Sequence, residues 1–150
     1  MNTSTKSSMP WQSPPNWLGE TVFIVAGGPS VRDCDLTGLH HRRVIGVNDA
    51  FKLGAWVDVC WSSDAHWLSW NQQALLGFPG LILTCAQGTV PAELSLQRIE
   101  RAKKTFGLSA QDNAICWNNN SGAGAIDVAV HFGAARIVLI GFDMQASNGQ

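Results

Sequence analysis

The stretch "NNNSGAGAIDVAVHFGAARIVLI", residues 118–140, decides the fold. Ser121 is a favoured helix N-cap, and Gly133 suits the position just past a helix C-terminus. The β-branched run Arg136–Ile140 follows almost at once, and the short apolar run Asn113–Trp117 lies just before the asparagines. A strand, a polar turn, a helix closed by glycine and a second strand predict one right-handed crossover unit of a parallel sheet.

Working outward, the runs Val22–Ala26, Arg43–Val47, Val57–Trp61 and Leu81–Cys85 carry the same strand signal. Most are continuous rather than alternating, as expected of strands buried on both faces. Between them, Asp64–Leu76 places Trp67, Trp70 and Ala74 on one stripe, and Glu93–Phe106 does the same with Ile99, Ala102 and Phe106. Both segments are therefore predicted to be helices. Arg98, Arg101, Lys103 and Lys104, interspersed with Glu93 and Glu100, then read as the solvated face of the second helix rather than as a nucleic-acid patch. The expectation is an α/β domain over residues 21–150, cut short at its C-terminus, with a Rossmann-like open, mainly parallel sheet of about six strands and helices on both faces. Residues 1–20, rich in proline, read as a poorly ordered arm with Trp11 and Trp17 as anchors.

Composition narrows the function classes. The chain has 150 residues and a net charge of -1, from 10 basic and 11 acidic residues, so no global field draws nucleic acid or an anionic membrane. Any anion has to be bound locally. The four cysteines, Cys34, Cys60, Cys85 and Cys116, form no CxxC pair, which suggests buried thiols in a reducing compartment rather than a disulfide frame or a zinc site. No run approaches the roughly 18 apolar residues of a membrane span, and no signal peptide is visible, so a cytoplasmic protein is expected.

In an open parallel sheet, ligands bind outside the carboxyl ends of the strands. Polar clusters fall at those ends: "GGPS" (27–30), "ND" (48–49), "SSDAH" (62–66), "NNNSG" (118–122) and "FDM" (142–144). In the first, Gly27 and Gly28 let a backbone approach a ligand, Pro29 suits a first helical position, and Ser30 adds a hydroxyl. This is either an anion seat or a plain glycine turn. It is neither a Walker loop nor a GxGxxG fingerprint. Asn48 and Asp49 lie where nucleotide-binding folds place a ribose-holding group, though either residue also suits a turn cap. Ser63 is a further polar candidate, and Asn120, Ser121 and Gly122 open a second helix N-terminus on the same rim.

Candidates for proton chemistry are Asp64, His66 and Asp143, with His131 more readily explained by packing. Asp64 reads equally well as an N-cap. If Asp64 and His66 both face the cleft, they could activate an acceptor hydroxyl or hold a divalent ion on a diphosphate. Asp143 is another candidate metal or hydroxyl ligand.

Taken together, "IVAGGPSV", "VIGVNDAF" and "NNNSGAGAIDVAVHFGAARIVLIGFDM" resemble a group of phage- and prophage-encoded proteins of unassigned activity. More distantly they resemble the bacterial CMP-sialic-acid-dependent sialyltransferases and the archaeal hydroxymethylpterin diphosphokinase family. The resemblance spans about residues 22–143. It implies that Gly28, Pro29 and Ser30 shape a donor-phosphate turn, that Asn48 contacts ribose or base, and that Ser121 and Gly122 bind phosphate or ribose. The sialyltransferases carry Asn where this chain has Gly27, and Asn near the end of the third strand where it has Ser63. Their general-base histidine follows the G-x-D strand, beyond Gln150. The expected activity is group transfer from a nucleotide or nucleotide-sugar, CMP type favoured, in the manner of a glycosyltransferase. The sialyltransferase-like reading requires no cofactor. The alternatives are a magnesium-dependent diphosphokinase and a non-catalytic phage accessory or nucleotide-binding protein.

Overall fold

The computed structural model describes the backbone of residues 9–10 and all of residues 14–143. Its strands are β1 (Met9–Pro10), β2 (Thr21–Val25), β3 (Arg43–Val47), β4 (Val59–Ser62), β5 (Leu81–Thr84), β6 (Leu96–Arg98), β7 (Glu100–Arg101), β8 (Ala114–Ile115) and β9 (Arg136–Ile140). A seven-stranded sheet runs in the order β1-β6-β5-β4-β3-β2-β9, with every pairing parallel. The two-residue β1 pairs with β6 alone, Met9 opposite Gln97 and Pro10 opposite Arg98, so six strands carry the layer. This is an open, Rossmann-like α/β fold.

The continuous apolar runs have the expected cause, because the central strands are covered on both sides. On one face Ile24, Ile45, Val59, Trp61 and Leu83 pack against Ala125, Val128, Ala129 and Phe132 of α3 (Ser121–His131). On the other, Cys60, Ile82 and Leu96 pack against Phe51, Leu68 and Leu75. Residues Leu68 and Leu75 belong to two short helices, Ala65–Trp70 (α1) and Gln72–Leu76 (α2). Each Val, Leu, Ile or Phe among them taken out of water contributes about 1.5–3 kcal/mol.

The helix predicted over Asp64–Leu76 is thus split at Asn71, whose amide donates to the Trp67 carbonyl at 2.9 Å. Its buried side is Leu68 and Leu75, whereas Trp70 is 80% exposed and Ala74 is exposed as well. A larger correction concerns Glu93–Phe106, which holds β6 and β7 rather than a helix. Leu94 and Leu96 feed one face of the sheet and Ile99 the other, so the apolar residues are divided between two cores instead of sharing one stripe. Phe106, required for that stripe, is 61% exposed.

Of Asn113–Trp117 only β8 is extended, and it pairs with β7 outside the main sheet. The chain therefore leaves a small side ladder, crosses through α3 and enters the main sheet beside β2, so the expected crossover within one sheet is not formed. The helix start also differs: Asn120 is the N-cap, its Oδ1 accepting from the Ala123 N–H at 3.2 Å, and Ser121 is the first helical residue. Gly133 closes α3 in the left-handed region (φ +94°), where a Cβ would come within 2.9 Å of Leu18.

Within the expected N-terminal arm, Trp17 is buried edge-on against Phe132, and its N–H donates to the Phe132 carbonyl at 2.8 Å. Trp11 and Met144 lie outside the described residues. Cys60, Cys85 and Cys116 are buried free thiols, with burial pushing that of Cys60 up to about 12. Cys34 departs from the expectation, being exposed with its thiol donating to the Ser30 carbonyl at 3.2 Å. Among the described residues no helix is long and apolar enough to cross a membrane.

Candidate functional site

Because the sheet is all parallel, the carboxyl ends of its strands open along one rim. A groove runs over that rim as two clefts. The first, of about 590 Å³, is lined by Gly27, Gly28, Pro29, Asn48, Asp49, Asn120, Ser121, Gly122 and Asp143. The second, of about 630 Å³, is lined by Ser63, Asp64 and His66 together with Gln87, Thr89 and Trp117. Asn48, Asn120 and Ser121 border both clefts.

In the first cleft the "GGPS" turn becomes a five-residue 3-10 helix, Pro29–Asp33. The Ser30 N–H donates to Asp143 Oδ2 at 2.8 Å, and the Ser30 hydroxyl donates to Asp143 Oδ1. These bonds hold the Asp143 carboxyl below the usual carboxylate range, the hydroxyl having the larger effect. The Gly28 N–H donates to the Gly141 carbonyl at 2.8 Å. A Cβ at Gly28 would collide with that same carbonyl and lie 2.6 Å from Asp143 Oδ2, whereas a Cβ at Gly27 would meet nothing within 4 Å. Gly28 is therefore glycine because the chain's own 141–143 segment lies against it, and Gly27 is the one facing open space. The turn does seat an anion, and that anion is Asp143.

Asn48 follows β3 with φ +50°, a left-handed conformation that asparagine tolerates better than most residues. Its side-chain Oδ1 is buried without a hydrogen-bond partner. Asp49 accepts from Lys52 at 2.7 Å, a surface pair one helical turn long. At the junction of the clefts, the Ser63 and Ser121 hydroxyls are bonded at 2.6 Å, and Trp61 Nε1–H donates to the Ser121 carbonyl at 2.8 Å. These contacts tie the start of α3 to the end of β4.

Asp64 caps α1, its Oδ1 accepting from the N–H groups of His66 at 2.8 Å and Trp67 at 3.2 Å. The exposed His66 lines the second cleft, and its ring lies 6.1 Å from the Trp70 ring. His131 lies away from the groove. Its Nδ1–H donates to the Asp127 carbonyl at 2.8 Å and its Nε2–H to the Gln111 carbonyl at 2.7 Å, so both ring nitrogens carry protons. The fully buried Asp127 carboxylate, 3.4 Å from His131 Nδ1, holds this imidazolium up to about 9. Asp127 also accepts from the N–H groups of Ser109 and Cys116, the latter at 2.7 Å. This bracket anchors the loop that leads into Trp117–Asn120.

Sequence reasoning passed over Gln87, Gly88 and Thr89, which follow β5 and line the second cleft. The polar "AQGT" after the apolar run carried the same strand-end signal as the clusters it used. It also missed Arg101, whose guanidinium stacks on Trp117 at 3.9 Å and donates to the carbonyls of Cys85 and Ser63 at 2.9 and 3.3 Å. Among the described residues no group of three or more His, Cys, Asp or Glu side chains is placed to hold a metal ion. No known family model matches this chain, and no curated protein is significantly similar to it.

Proposed function

We propose that this protein binds a nucleotide or nucleotide-sugar along the groove and transfers a group from it to an acceptor hydroxyl, with a cytidine donor favoured. The observation that carries the reading is Asn48 Oδ1, buried and unpartnered where the two clefts meet. An orphaned buried acceptor costs about 1–3 kcal/mol, and a ligand donor removes that cost. The exocyclic amine of cytosine is such a donor, whereas uracil presents a carbonyl at the same position. Gly27 leaves room for a ligand against the backbone, and the Ser63–Ser121 hydroxyl pair offers polar contacts at the junction.

In the transfer step the acceptor oxygen bonds to the donor's reacting carbon while the bond from that carbon to the nucleotide phosphate breaks. The hydroxyl proton passes to His66 or Asp64, the titratable side chains lining the second cleft. A magnesium-dependent diphosphokinase is the second reading, favoured by one feature: the first cleft is lined by the carboxylates Asp49 and Asp143 and by no basic residue. Magnesium is commonly held by one or two carboxylates plus phosphate oxygens. Thermal unfolding with cytidine, CMP, UMP and ATP, each with and without magnesium, tests these readings. A shift with cytidine and CMP but not UMP supports the first, and a shift only with ATP and magnesium supports the second. Indifference to all would leave a binding or accessory protein of another kind.

A further inference from the structure

The two clefts differ in what stands behind them. In the first, the carboxylates Asp49 and Asp143 are both present in the lining, the two Ser30 donors of the "GGPS" turn are already committed to Asp143, and the Gly28 N–H is committed to the Gly141 carbonyl. A phosphate placed there would meet negative charge and find the Ser30 N–H and hydroxyl occupied. The second cleft is backed by guanidinium groups. Arg101 contacts two of its lining residues, with its Cζ 3.9 Å from the Trp117 ring centroid and its guanidinium bonded to the Ser63 carbonyl. Arg98 donates to the carbonyls of Ala86 and Gly88, beneath the loop that supplies Gln87 and Thr89. Among the described residues Arg101 forms no ion pair, and its guanidinium is met by carbonyl oxygens and an aromatic face. A half-buried guanidinium in that state attracts an anion through a low-dielectric wall. The one acidic residue of this lining, Asp64, has an oxygen engaged by the N–H groups it caps.

We propose that the second cleft, between the ends of β4 and β5, seats the phosphate of the ligand, and that the first cleft takes its uncharged nucleoside part, with Asn48 at the boundary. This rests on the nucleotide reading, and it reverses the assignment that the glycine turn suggests. Ser69 and Gly27 allow the clefts to be charged separately, because both are exposed, one lining each cleft, and neither is a core residue.

The test is calorimetry on the full chain with CMP, cytidine and inorganic pyrophosphate, for the wild type, Ser69→Glu and Gly27→Glu, with unfolding midpoints to show that each variant is folded. The wild type should bind CMP at least tenfold tighter than cytidine. Ser69→Glu should reduce that ratio to near one with cytidine affinity unchanged, and should weaken pyrophosphate tenfold or more. Gly27→Glu should weaken cytidine and CMP alike and leave pyrophosphate unaffected. Loss of the CMP preference in Gly27→Glu but not in Ser69→Glu would overturn the proposal. Pyrophosphate binding sensitive to Ser69→Glu, with no binding of cytidine or CMP, would uphold the anion seat and reject the nucleotide reading. No binding of any of these probes would reject both.

Discussion

The two clefts of the groove are nearly equal in volume and share Asn48, Asn120 and Ser121, yet they spend their polar groups differently. In the first the chain is occupied with itself: Ser30 holds Asp143, Lys52 holds Asp49, and the 141–143 segment fills the space that Gly28 leaves. In the second, hydroxyl and amide side chains line the surface beside Asp64 and His66, and guanidiniums stand behind it. A glycine turn after a strand is thus an anion seat for a ligand only if no carboxylate of the same chain reaches it. Which cleft is open to a phosphate depends on those remote partners.

The largest expected effect breaks the wall that both clefts share. Asp127 holds the Cys116 N–H and the His131 imidazolium, and the loop from Cys116 leads into Trp117–Asn120. Removing one partner of a buried pair leaves the other charge uncompensated, so Asp127→Ala should cost about 3–5 kcal/mol in chemical denaturation. The same bracket gives stability a pH dependence. His131 is raised from 6.5 to about 9 in the folded state, so its contribution is complete below about pH 6.5 and is lost as pH rises through about 9. Its size should be roughly 3 kcal/mol across that window. His131→Gln should flatten the slope, and a wild-type protein equally stable at pH 6 and pH 9.5 would remove the imidazolium from the account.

Next in size is Gly28→Val, which separates self-packing from ligand approach. The new Cβ meets the Gly141 carbonyl and Asp143, so stability should fall by about 2–3 kcal/mol even without ligand. Gly27→Ala, facing open space, should leave stability within about 0.5 kcal/mol. Equal stabilities for the two variants would show that the 141–143 segment does not rest on Gly28.

The legible parts of the molecule were those whose partners lie close in sequence or whose pattern has one reading. Arg43–Val47 and Arg136–Ile140 are short apolar runs with polar or glycine boundaries, and both appear as strands with those same bounds. Glu93–Phe106 was misread because Ile99, Ala102 and Phe106 satisfy helical spacing. What decides its state is the ladder to β5, in which Ile82, Leu83 and Thr84 pair with Leu96, Gln97 and Arg98. That error hid the second cleft's charge. A solvated helical face gave Arg98 and Arg101 no role, whereas in the strands their guanidiniums reach carbonyls at the ends of β4 and β5. On the rim, the strand-end rule found the glycines, Asn48 and Ser121, but it cannot tell a donor that is free from one already bonded to Asp143. The i, i+4 spacing of Asp127 and His131 was readable as a pair. Their joint burial was not, since the Gln111 and Cys116 contacts come from a loop outside the helix.

A sharper probe of the boundary is Asn48→Ala. If the buried Oδ1 accepts from the base, cytidine affinity should drop by about 1–3 kcal/mol by calorimetry, and CMP affinity should drop by the same amount because the phosphate lies beyond the boundary. A loss confined to CMP would instead place Asn48 against the phosphate.

The smallest effect is expected at Lys52, and it discriminates through being small. Lys52 and Asp49 form an exposed pair with side chains 50% and 64% exposed, so Lys52→Ala should change stability by no more than about 0.5 kcal/mol. Its electrostatic consequence is local: Asp49, a lining residue of the first cleft, loses its cation and that cleft becomes more acidic. With the phosphate in the first cleft, the added repulsion would act across a few ångströms, and the preference for CMP over cytidine would fall clearly at low salt. With the phosphate in the second cleft, which Asp49 does not line, the repulsion acts from farther off, and at 0.15 M salt, where the Debye length is about 8 Å, the preference should stay within about twofold. Titrations with both ligands in 0.02 and 0.15 M salt provide the measurement. A salt-sensitive loss of CMP preference on Lys52→Ala would move the phosphate back to the glycine turn.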